Sequence, residues 1–274
     1  MKILLLGANG MLGRALKTTF VNEELTAWDI GDLDITEAGE VAKRIDAIKP
    51  QVVVNAAAYT DVDGAEKERE KAWAVNADGV RNVAEAAKEV GATMVHYSTD
   101  YVFPGDNERG YTEDDQAGPP VNAYGESKLA GEQALAKAGP AYYLIRTAWL
   151  YGAGGKNFVD TMLRLAETKK ELSVVNDQYG SPSYTVDVAQ ATRELLTGDW
   201  QPGVYHAVNQ GLTTWYALAL TIFELAGVEM EVRAINTADY PLPAARPRYS
   251  VLNNTRGPQL RIWEEALADY VRRA

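Results

Sequence analysis

Short apolar runs alternate with amphipathic segments through the first half of the chain. Five runs lack the polar alternation of a half-exposed strand, which is typical of strands buried on both faces of a parallel sheet. They are residues 3–6, 25–28, 52–58, 94–97 and 142–149. Segments with helical periodicity lie between them, at residues 14–20, 37–48, 67–90 and 122–138. This alternation predicts an α/β fold with a parallel sheet and right-handed crossovers.

A glycine-rich turn joins the first predicted strand to the first predicted helix. It reads Gly7-Ala8-Asn9-Gly10-Met11-Leu12-Gly13, so the spacing is Gly-x-x-Gly-x-x-Gly rather than Gly-x-Gly-x-x-Gly. Glycines allow a tight turn and a close approach of backbone to pyrophosphate, and a helix start supplies unpaired N–H groups. The position of this turn favours a dinucleotide site over a turn that only packs.

Two charged residues give opposite indications about the dinucleotide. Asp29 directly follows the second predicted strand, where an acid accepts hydrogen bonds from the adenosine ribose and repels a ribose phosphate. Arg14, at the start of the first predicted helix, could instead meet such a phosphate. The sequence therefore leaves NADH and NADPH both open.

Tyr124 and Lys128 lie four residues apart in the predicted helix 122–138, and therefore share one helix face. An ammonium group near a phenol favours the phenolate and lowers the tyrosine pKa from its usual value of about 10. Such a tyrosine can exchange a proton close to neutral pH, as carbonyl reduction requires. Because a bare Tyr-x-x-x-Lys pattern often arises by chance, its interpretation depends on the other motifs.

The second half of the chain differs in character. Residues 152–155 are glycine-rich and predict a hinge, and the segments after residue 204 are shorter and richer in aromatic residues and proline. Residues 172–176 predict a strand that returns to the large sheet, between predicted helices at 157–169 and 185–196. We expect a dinucleotide-binding domain over residues 1–150, with return segments around 172–210. A smaller lobe, mainly residues 151–274, is expected to bind substrate in the cleft between them.

Composition narrows the classes of function. The formal net charge of −11 over 274 residues argues against a phosphate-backbone surface, and hence against nucleic-acid binding. The absence of cysteine excludes thiolate metal sites and disulfides, and the presence of only two histidines argues against a histidine-rich metal centre. No run approaches the ~20 apolar residues of a membrane span. We expect a soluble, cytoplasmic protein without a membrane partner.

Taken together, the motifs resemble those of the extended short-chain dehydrogenases/reductases. The matching residues are Gly7-x-x-Gly10-x-x-Gly13, Asp29, Asn55-Ala56-Ala57, Asn76, Ser98-Thr99 and Tyr124-x-x-x-Lys128. Their combination in this order is far more specific than any one of them. The resemblance implies an oxidoreductase with a Rossmann-like, doubly wound parallel sheet and a smaller C-terminal substrate-binding lobe.

Further segments extend the resemblance over nearly the whole chain and are similar to family members that reduce a dTDP-linked keto sugar. These segments are residues 96–105, 124–132, 146–151, 157–159, 176–182 and 246–252. The resemblance implies NAD(P)H-dependent reduction of the C4 carbonyl of dTDP-4-dehydro-6-deoxy-L-mannose, giving dTDP-L-rhamnose. One extra residue in the loop 105–117 departs from the family pattern and affects the contacts of that loop, not the helix of Tyr124.

The resemblance also implies roles for individual residues. The catalytic trio is Thr99, Tyr124 and Lys128: Tyr124 supplies a proton to the carbonyl oxygen, Lys128 stabilises the phenolate, and Thr99 orients the carbonyl. Substrate contacts are expected from Thr99, Asp100 and Trp149. The cofactor contacts are expected from Gly7, Gly10, Met11, Leu12, Gly13, Asp29, Asp34, Ile35, Ala58, Tyr59, Thr60, Tyr97, Tyr124 and Lys128.

Several alternatives stay open at the level of sequence. Arg246 and Arg248 are candidates for the nucleotide diphosphate or are surface arginines beside prolines, and Trp149 is a sugar platform or a core residue. No residue set identifies a metal site, although related reductases can use a Mg²⁺-dependent homodimer. Rival functions are another nucleotide-sugar reductase or epimerase of the same fold, or a non-catalytic dinucleotide-binding regulatory subunit.

Overall fold

The computed structural model of the chain describes residues 1–273. Its strands are Lys2–Leu6 (β1), Glu24–Trp28 (β2), Val52–Asn55 (β3), Thr93–Thr99 (β4), Tyr142–Thr147 (β5), Leu150–Tyr151 (β6), Glu171–Val175 (β7), Tyr179–Gly180 (β8), Ser183–Tyr184 (β9), Gly203–His206 (β10), Thr213–Thr214 (β11) and Glu231–Ile235 (β12). Its α-helices are Met11–Thr19 (α1), Ala38–Ile48 (α2), Val62–Lys67 (α3), Arg69–Trp73 (α4), Val80–Glu89 (α5), Ala123–Ala138 (α6), Phe158–Ala166 (α7), Thr185–Thr197 (α8), Trp215–Ala226 (α9) and Trp263–Val271 (α10).

Six strands form one parallel sheet in the order β10-β5-β4-β3-β1-β2. The direction in which strands are added reverses at β1, which lies between β2 and β3. In the register, Leu6 is paired with both Trp28 and Asn55, so these three strands end at the same level. The loops that follow them therefore meet at the switch point of the sheet, where doubly wound folds bind ligands. The predicted fold class is confirmed.

Both faces of this sheet are buried, which explains why its strands are continuous apolar runs. On one face Leu5, Val54 and Val95 pack with α1 and α8. On the other face Leu4 and Val53 pack with α2 and α5. Each fully buried aliphatic side chain contributes roughly 1.5–3 kcal/mol, so the two layers together fix the position of the sheet edge.

A smaller lobe has its own core. Strands β7 and β12 pair in parallel, and the helices α7, α9 and α10 surround a cluster that includes Val159, Ile222 and Leu267. Tyr151 stacks on Tyr184 at 5.5 Å between ring centroids within the same cluster. The smaller C-terminal lobe of the predicted fold is therefore present as a packed unit.

The predicted return of residues 172–176 to the large sheet is wrong. This segment is β7, whose partner is β12 in a separate two-stranded sheet, and the sixth strand of the large sheet is β10. Glu171 and Ser173 of β7 are exposed, as suits a small sheet with one solvated face. The helix α8, also from the second half of the chain, packs against α1 in the large domain.

Two predicted elements are interrupted. The predicted helix 67–90 consists of α4, a π-helical turn at Ala74–Gly79 and α5, while α3 before it ends at Lys67. The predicted strand 142–149 ends at Thr147, since Trp149 has a φ of 45°, which a strand does not accommodate. Both interruptions lie beside the candidate site described next.

Candidate active site

The glycine-rich turn is packed so closely that side chains are excluded. Gly7 has a φ of 75°, and a Cβ atom there would lie 2.6 Å from the backbone nitrogen of Ala57. A Cβ atom on Gly13 would lie 2.1 Å from the carbonyl oxygen of Gly7. Helix α1 starts at Met11, earlier than the predicted residue 14, so its free N–H groups lie within the turn itself. Their partial positive charge suits a phosphate group.

A cavity of about 580 Å³ opens at the switch point, beside this turn. All of the predicted cofactor contacts line it. They are Gly7, Gly10, Met11, Leu12, Gly13, Asp29, Asp34, Ile35, Ala58, Tyr59, Thr60, Tyr97, Tyr124 and Lys128. The structure thus brings together residues from the first half of the chain that are far apart in sequence.

Sequence reasoning missed several residues of this cavity. Thr147, at the end of β5, and Lys71, in α4, line it. Gly154, from the segment predicted as a hinge, and Lys156, just after that segment, line it as well. The hydroxyl groups of Ser98 and Thr147 are buried and have no hydrogen-bond partner within residues 1–273. Such groups in a cavity wall fit a polar ligand. Only the position of Thr147 at a strand end could have indicated its role.

The two charges that gave conflicting indications both hold the backbone of Asn9. Asp29 accepts hydrogen bonds from the backbone nitrogens of Asn9 at 2.7 Å and Ile30 at 2.9 Å. Arg14 donates from Nε to the carbonyl oxygen of Asn9 at 2.9 Å. Asp29 lines the cavity and Arg14 does not, so the charge at this edge of the cavity is a carboxylate.

Asn76 connects the loop after β3 to the helix that carries Tyr124. Its side chain accepts from the Tyr59 backbone nitrogen at 2.9 Å and donates to the Tyr59 carbonyl at 3.0 Å. It also donates to the Ser127 hydroxyl at 3.0 Å, which in turn donates to the Tyr124 carbonyl. Asn76 lies in the π-helical turn, a distortion that is frequent at functional sites.

The helix α6 places Tyr124 and Lys128 at the cavity wall. Asn122 caps this helix by accepting a hydrogen bond from the Gly125 nitrogen at 2.8 Å. Lys128 is only 2% exposed, and its ammonium group donates to the carbonyl oxygen of Tyr97 at 2.6 Å. Burial lowers the pKa of Lys128 to about 8, against the attraction of the Glu132 carboxylate, which raises it.

The predicted lowering of the Tyr124 pKa by Lys128 is wrong for the chain by itself. Burial raises the pKa of Tyr124 above its ordinary value, the charge of Asp100 raises it further, and the Thr99 hydroxyl lowers it. The phenol is desolvated, and desolvation disfavours the phenolate more than the neighbouring groups favour it. Tyr124 therefore carries its proton at neutral pH.

Thr99 and Asp100 lie next to Tyr124 but do not themselves line this cavity. The Thr99 hydroxyl donates to the Asp100 carboxylate at 2.8 Å and accepts from the Tyr101 nitrogen at 3.2 Å. Burial raises the pKa of Asp100 to about 6, although hydrogen bonds from the hydroxyls of Ser250 and Thr99 lower it. Both residues are buried and their position is set by the end of β4.

A second cavity, of about 660 Å³, is lined mainly by the smaller lobe. Its walls combine aromatic and aliphatic side chains with the cationic residues Lys169, Arg233 and Arg246 and with the carboxylate of Glu171, which pairs with Arg233 at 2.7 Å. Tyr101 also lines it and meets Tyr124 edge to face, with ring centroids 5.8 Å apart. The second cavity therefore reaches the helix of Tyr124 through Tyr101.

Three residues left open by the sequence have distinct positions. Arg246 lines the second cavity and pairs with Asp63 at 2.9 Å, whereas Arg248 lies over the ring of Tyr249 and lines neither cavity. Trp149 is half-buried and stacks on Trp215 at 3.5 Å between centroids. Trp215 lines the second cavity, so Trp149 supports the wall from behind.

Within residues 1–273, no group of three or more histidine, aspartate or glutamate side chains is arranged to hold a metal ion. None of the helices described above is both long enough and apolar enough to cross a membrane.

Comparison with known proteins gives a consistent result over the full length. The family described as RmlD substrate binding domain matches residues 1–274. The dTDP-4-dehydrorhamnose reductase of Streptomyces griseus is 45% identical over 280 residues, covering 97% of this chain and 91% of the relative.

Two solved structures extend this similarity. A dTDP-4-dehydrorhamnose reductase from Clostridium acetobutylicum is 43% identical with a TM-score of 0.96, covering 99% of both chains. A dTDP-4-dehydrorhamnose reductase from Bacillus anthracis, solved in complex with NADP, is 40% identical with a TM-score of 0.95, covering 100% of both chains. The chain belongs to the family of the RmlD substrate binding domain.

Proposed function

We propose that the protein reduces the C4 carbonyl of dTDP-4-dehydro-6-deoxy-L-mannose with NADH or NADPH and so forms dTDP-L-rhamnose. The observation that carries this proposal is the position of Tyr124 and Lys128 in the wall of one cavity, with Tyr101 linking Tyr124 to a second. One cavity then serves a dinucleotide and the other a nucleotide sugar. The relatives named dTDP-4-dehydrorhamnose reductase support the same reaction.

The first cavity suits a nicotinamide dinucleotide. The glycine turn and the start of α1 would hold the pyrophosphate, and Asp29 would accept hydrogen bonds from the adenosine ribose. The unpaired hydroxyls of Ser98 and Thr147 offer hydrogen bonds near Tyr124. When bound, the reduced nicotinamide supplies the hydride that the carbonyl carbon accepts.

Tyr124 is the proposed proton donor. Because burial keeps its phenol protonated, the proton is available to the carbonyl oxygen as negative charge develops there. The phenolate that remains would be stabilised by the ammonium group of Lys128 in a site of low dielectric constant. Thr99, whose hydroxyl lies beside Tyr124, would hydrogen-bond the same carbonyl oxygen and fix its orientation.

We assign the nucleotide part of the substrate to the second cavity. Arg246 and Lys169 provide positive charge for a diphosphate, whereas the charge of Arg233 is balanced by Glu171 and Glu231. Trp215 and Tyr240 offer flat surfaces for the base and sugar. Asp100 would contribute to substrate binding indirectly, because its carboxylate accepts a hydrogen bond from Thr99 and so holds that residue in place. Trp149 would likewise act indirectly, by stacking on Trp215. Substrate binding is thus proposed to belong mainly to the lobe of residues 151–274.

The proposed reaction also implies a partner molecule, a cellular location and an oligomeric state for the protein. The dTDP-sugar is the expected partner molecule, and the use of a nucleotide sugar with a nicotinamide cofactor favours the cytoplasm. The resemblance to reductases that form Mg²⁺-dependent dimers supports a homodimer. Sedimentation with and without Mg²⁺ tests the last point, because a dimer would sediment as twice the mass of the 29.9 kDa chain.

The first experiment measures the loss of nicotinamide absorbance with freshly prepared dTDP-4-dehydro-6-deoxy-L-mannose, with NADH and NADPH in parallel. Formation of dTDP-L-rhamnose supports the proposal, and the two rates give the cofactor preference. The variant Tyr124→Phe should bind cofactor but lose nearly all turnover. No turnover in a wild-type protein that binds cofactor would refute the proposal and favour another keto sugar or a regulatory role.

A further inference from the structure

A buried pair of opposite charges joins the helix of Tyr124 and Lys128 to the sheet. Glu132 is on α6, one turn after Lys128, and Arg146 is on the neighbouring strand β5. Arg146 donates from Nε at 3.0 Å and from Nη2 at 2.7 Å to the two carboxylate oxygens of Glu132. Both side chains are only 6% exposed. This Glu132–Arg146 pair is therefore rigid and almost free of water.

Stability alone does not explain such a pair. The cost of removing two charges from water often equals or exceeds their attraction, so apolar side chains of similar size would support the fold at least as well. Arg146 is only partly satisfied, since its Nη1 atom has no hydrogen-bond partner within residues 1–273. It also lies over the ring of Phe103 at 5.0 Å. A charged pair at this position is thus more consistent with a role in the site than with packing.

The group that needs a negative charge nearby is Lys128. Among the described residues its ammonium has one hydrogen-bond partner, the Tyr97 carbonyl, and burial disfavours its charge. Glu132 opposes this effect, and with one turn of helix between them the two groups lie on the same face. The orientation of the carboxylate is fixed because both of its oxygens are bound to Arg146.

Other charges around Lys128 do not replace Glu132. His96, on β4, is buried, and its pKa lies well below the usual value because of burial and of the Lys128 charge, so it is neutral. Asp100 lies near Tyr124 at the end of β4. Glu126 is on the exposed side of α6, where it pairs with Arg69 and is screened by solvent.

We propose that Glu132, held by Arg146, is a positioning residue that keeps the ammonium group of Lys128 charged and directed toward the dinucleotide cavity. Its effect on catalysis rests on the proposed reductase function. Its effect on the charge of Lys128 does not, and the two can be measured separately.

The charge is tested in the cofactor-free protein with the variant Glu132→Met/Arg146→Met, which replaces the pair by apolar side chains of similar length. Thermal unfolding first shows that the variant is folded. The titration of Lys128 is then followed by NMR of ¹³C-labelled lysine Cε, with the signal assigned from Lys128→Arg. We expect its midpoint to fall by about one pH unit or more, as for loss of an opposite charge nearby. The matched control, Arg69→Gln/Glu126→Gln, should leave the midpoint in place.

Catalysis is tested by the dependence of kcat on pH at saturating cofactor. The alkaline limb reports loss of the Lys128 proton, so it should move to lower pH in the Glu132→Met/Arg146→Met variant, with little change in KM. If that variant does not fold, Glu132→Asp, which withdraws the carboxylate, should move both midpoints in the same direction by less. An unchanged Lys128 midpoint in the folded variant, or a changed midpoint with an unchanged kcat profile, would overturn the proposal. Absence of reductase activity in the wild-type protein would refute the proposed function instead.

Discussion

Replacement of Asn76 by alanine separates a structural effect from an effect on the site. Its side chain is 1% exposed and makes three hydrogen bonds of 2.9–3.0 Å, two to the backbone of Tyr59 and one to Ser127. At about 1 kcal/mol for each bond, Asn76→Ala should lower the free energy of unfolding by about 3 kcal/mol. Because Tyr59 lines the cavity proposed for the dinucleotide, cofactor affinity should fall as well, by roughly tenfold or about 1.4 kcal/mol.

Asn209 provides the matched control, because it is equally buried but lies away from the cavity. It accepts from the Tyr184 nitrogen at 2.8 Å and donates to Asp187 at 2.7 Å and to the Arg261 carbonyl at 3.1 Å. Asn209→Ala should cost a similar free energy of unfolding, measured by urea denaturation, and leave the cofactor Kd unchanged. Equal Kd values for the two variants, at a temperature where both are folded, would refute the assignment of Asn76 to the site.

Three further predictions follow from single contacts. Gly13→Ala should reduce dinucleotide affinity at least a hundredfold, measured by calorimetry, because its Cβ would lie 2.1 Å from a backbone oxygen; Gly39→Ala, outside the cavity and with no atom within 4 Å of the added Cβ, should change affinity less than threefold. The pKa of Asp100 is raised from 3.8 to about 6, so the folded state holds this proton more tightly than the unfolded state. As the pH rises from about 4 to about 6, the free energy of unfolding of the wild-type protein should therefore fall relative to that of Asp100→Asn. The stability difference between the two proteins should change by about 3 kcal/mol between pH 3 and pH 8 in denaturant titrations, and a constant difference across this range would contradict the assignment. Arg246→Met should raise the KM for the nucleotide sugar more than tenfold while Arg248→Met leaves it within twofold, and similar values for both would remove Arg246 from the proposed diphosphate site.

Much of the fold and of the first cavity could be predicted from the sequence, because the signals are local. A strand buried on both faces must be apolar throughout, so the runs that became β1, β3 and β4 are visible without a structure. The glycine turn is visible because only glycine fits where backbones approach within the distances found at Gly7 and Gly13. The spacing of Tyr124 and Lys128 determines their common helix face.

The rest depends on which distant parts of the chain meet. The strand β7 pairs with β12, and no local pattern distinguishes that partner from the large sheet. Arg246 and Arg248 are neighbours in sequence, yet only Arg246 reaches the second cavity and Asp63. Their difference arises from the tertiary path of the segment, not from their chemistry.

The protonation of the site was likewise decided by tertiary structure. The sequence correctly identified Tyr124 and Lys128 as neighbours in the cavity wall, but it predicted the wrong direction for the Tyr124 pKa. A pKa depends on desolvation and on charges contributed by other elements, here Asp100 and Thr99 at the end of β4 and Glu132 with its partner on β5. The sequence by itself therefore determined which chemical groups are present and which of them share a helix face or follow a strand end. Burial in the folded chain determined the protonation of Tyr124 and Lys128.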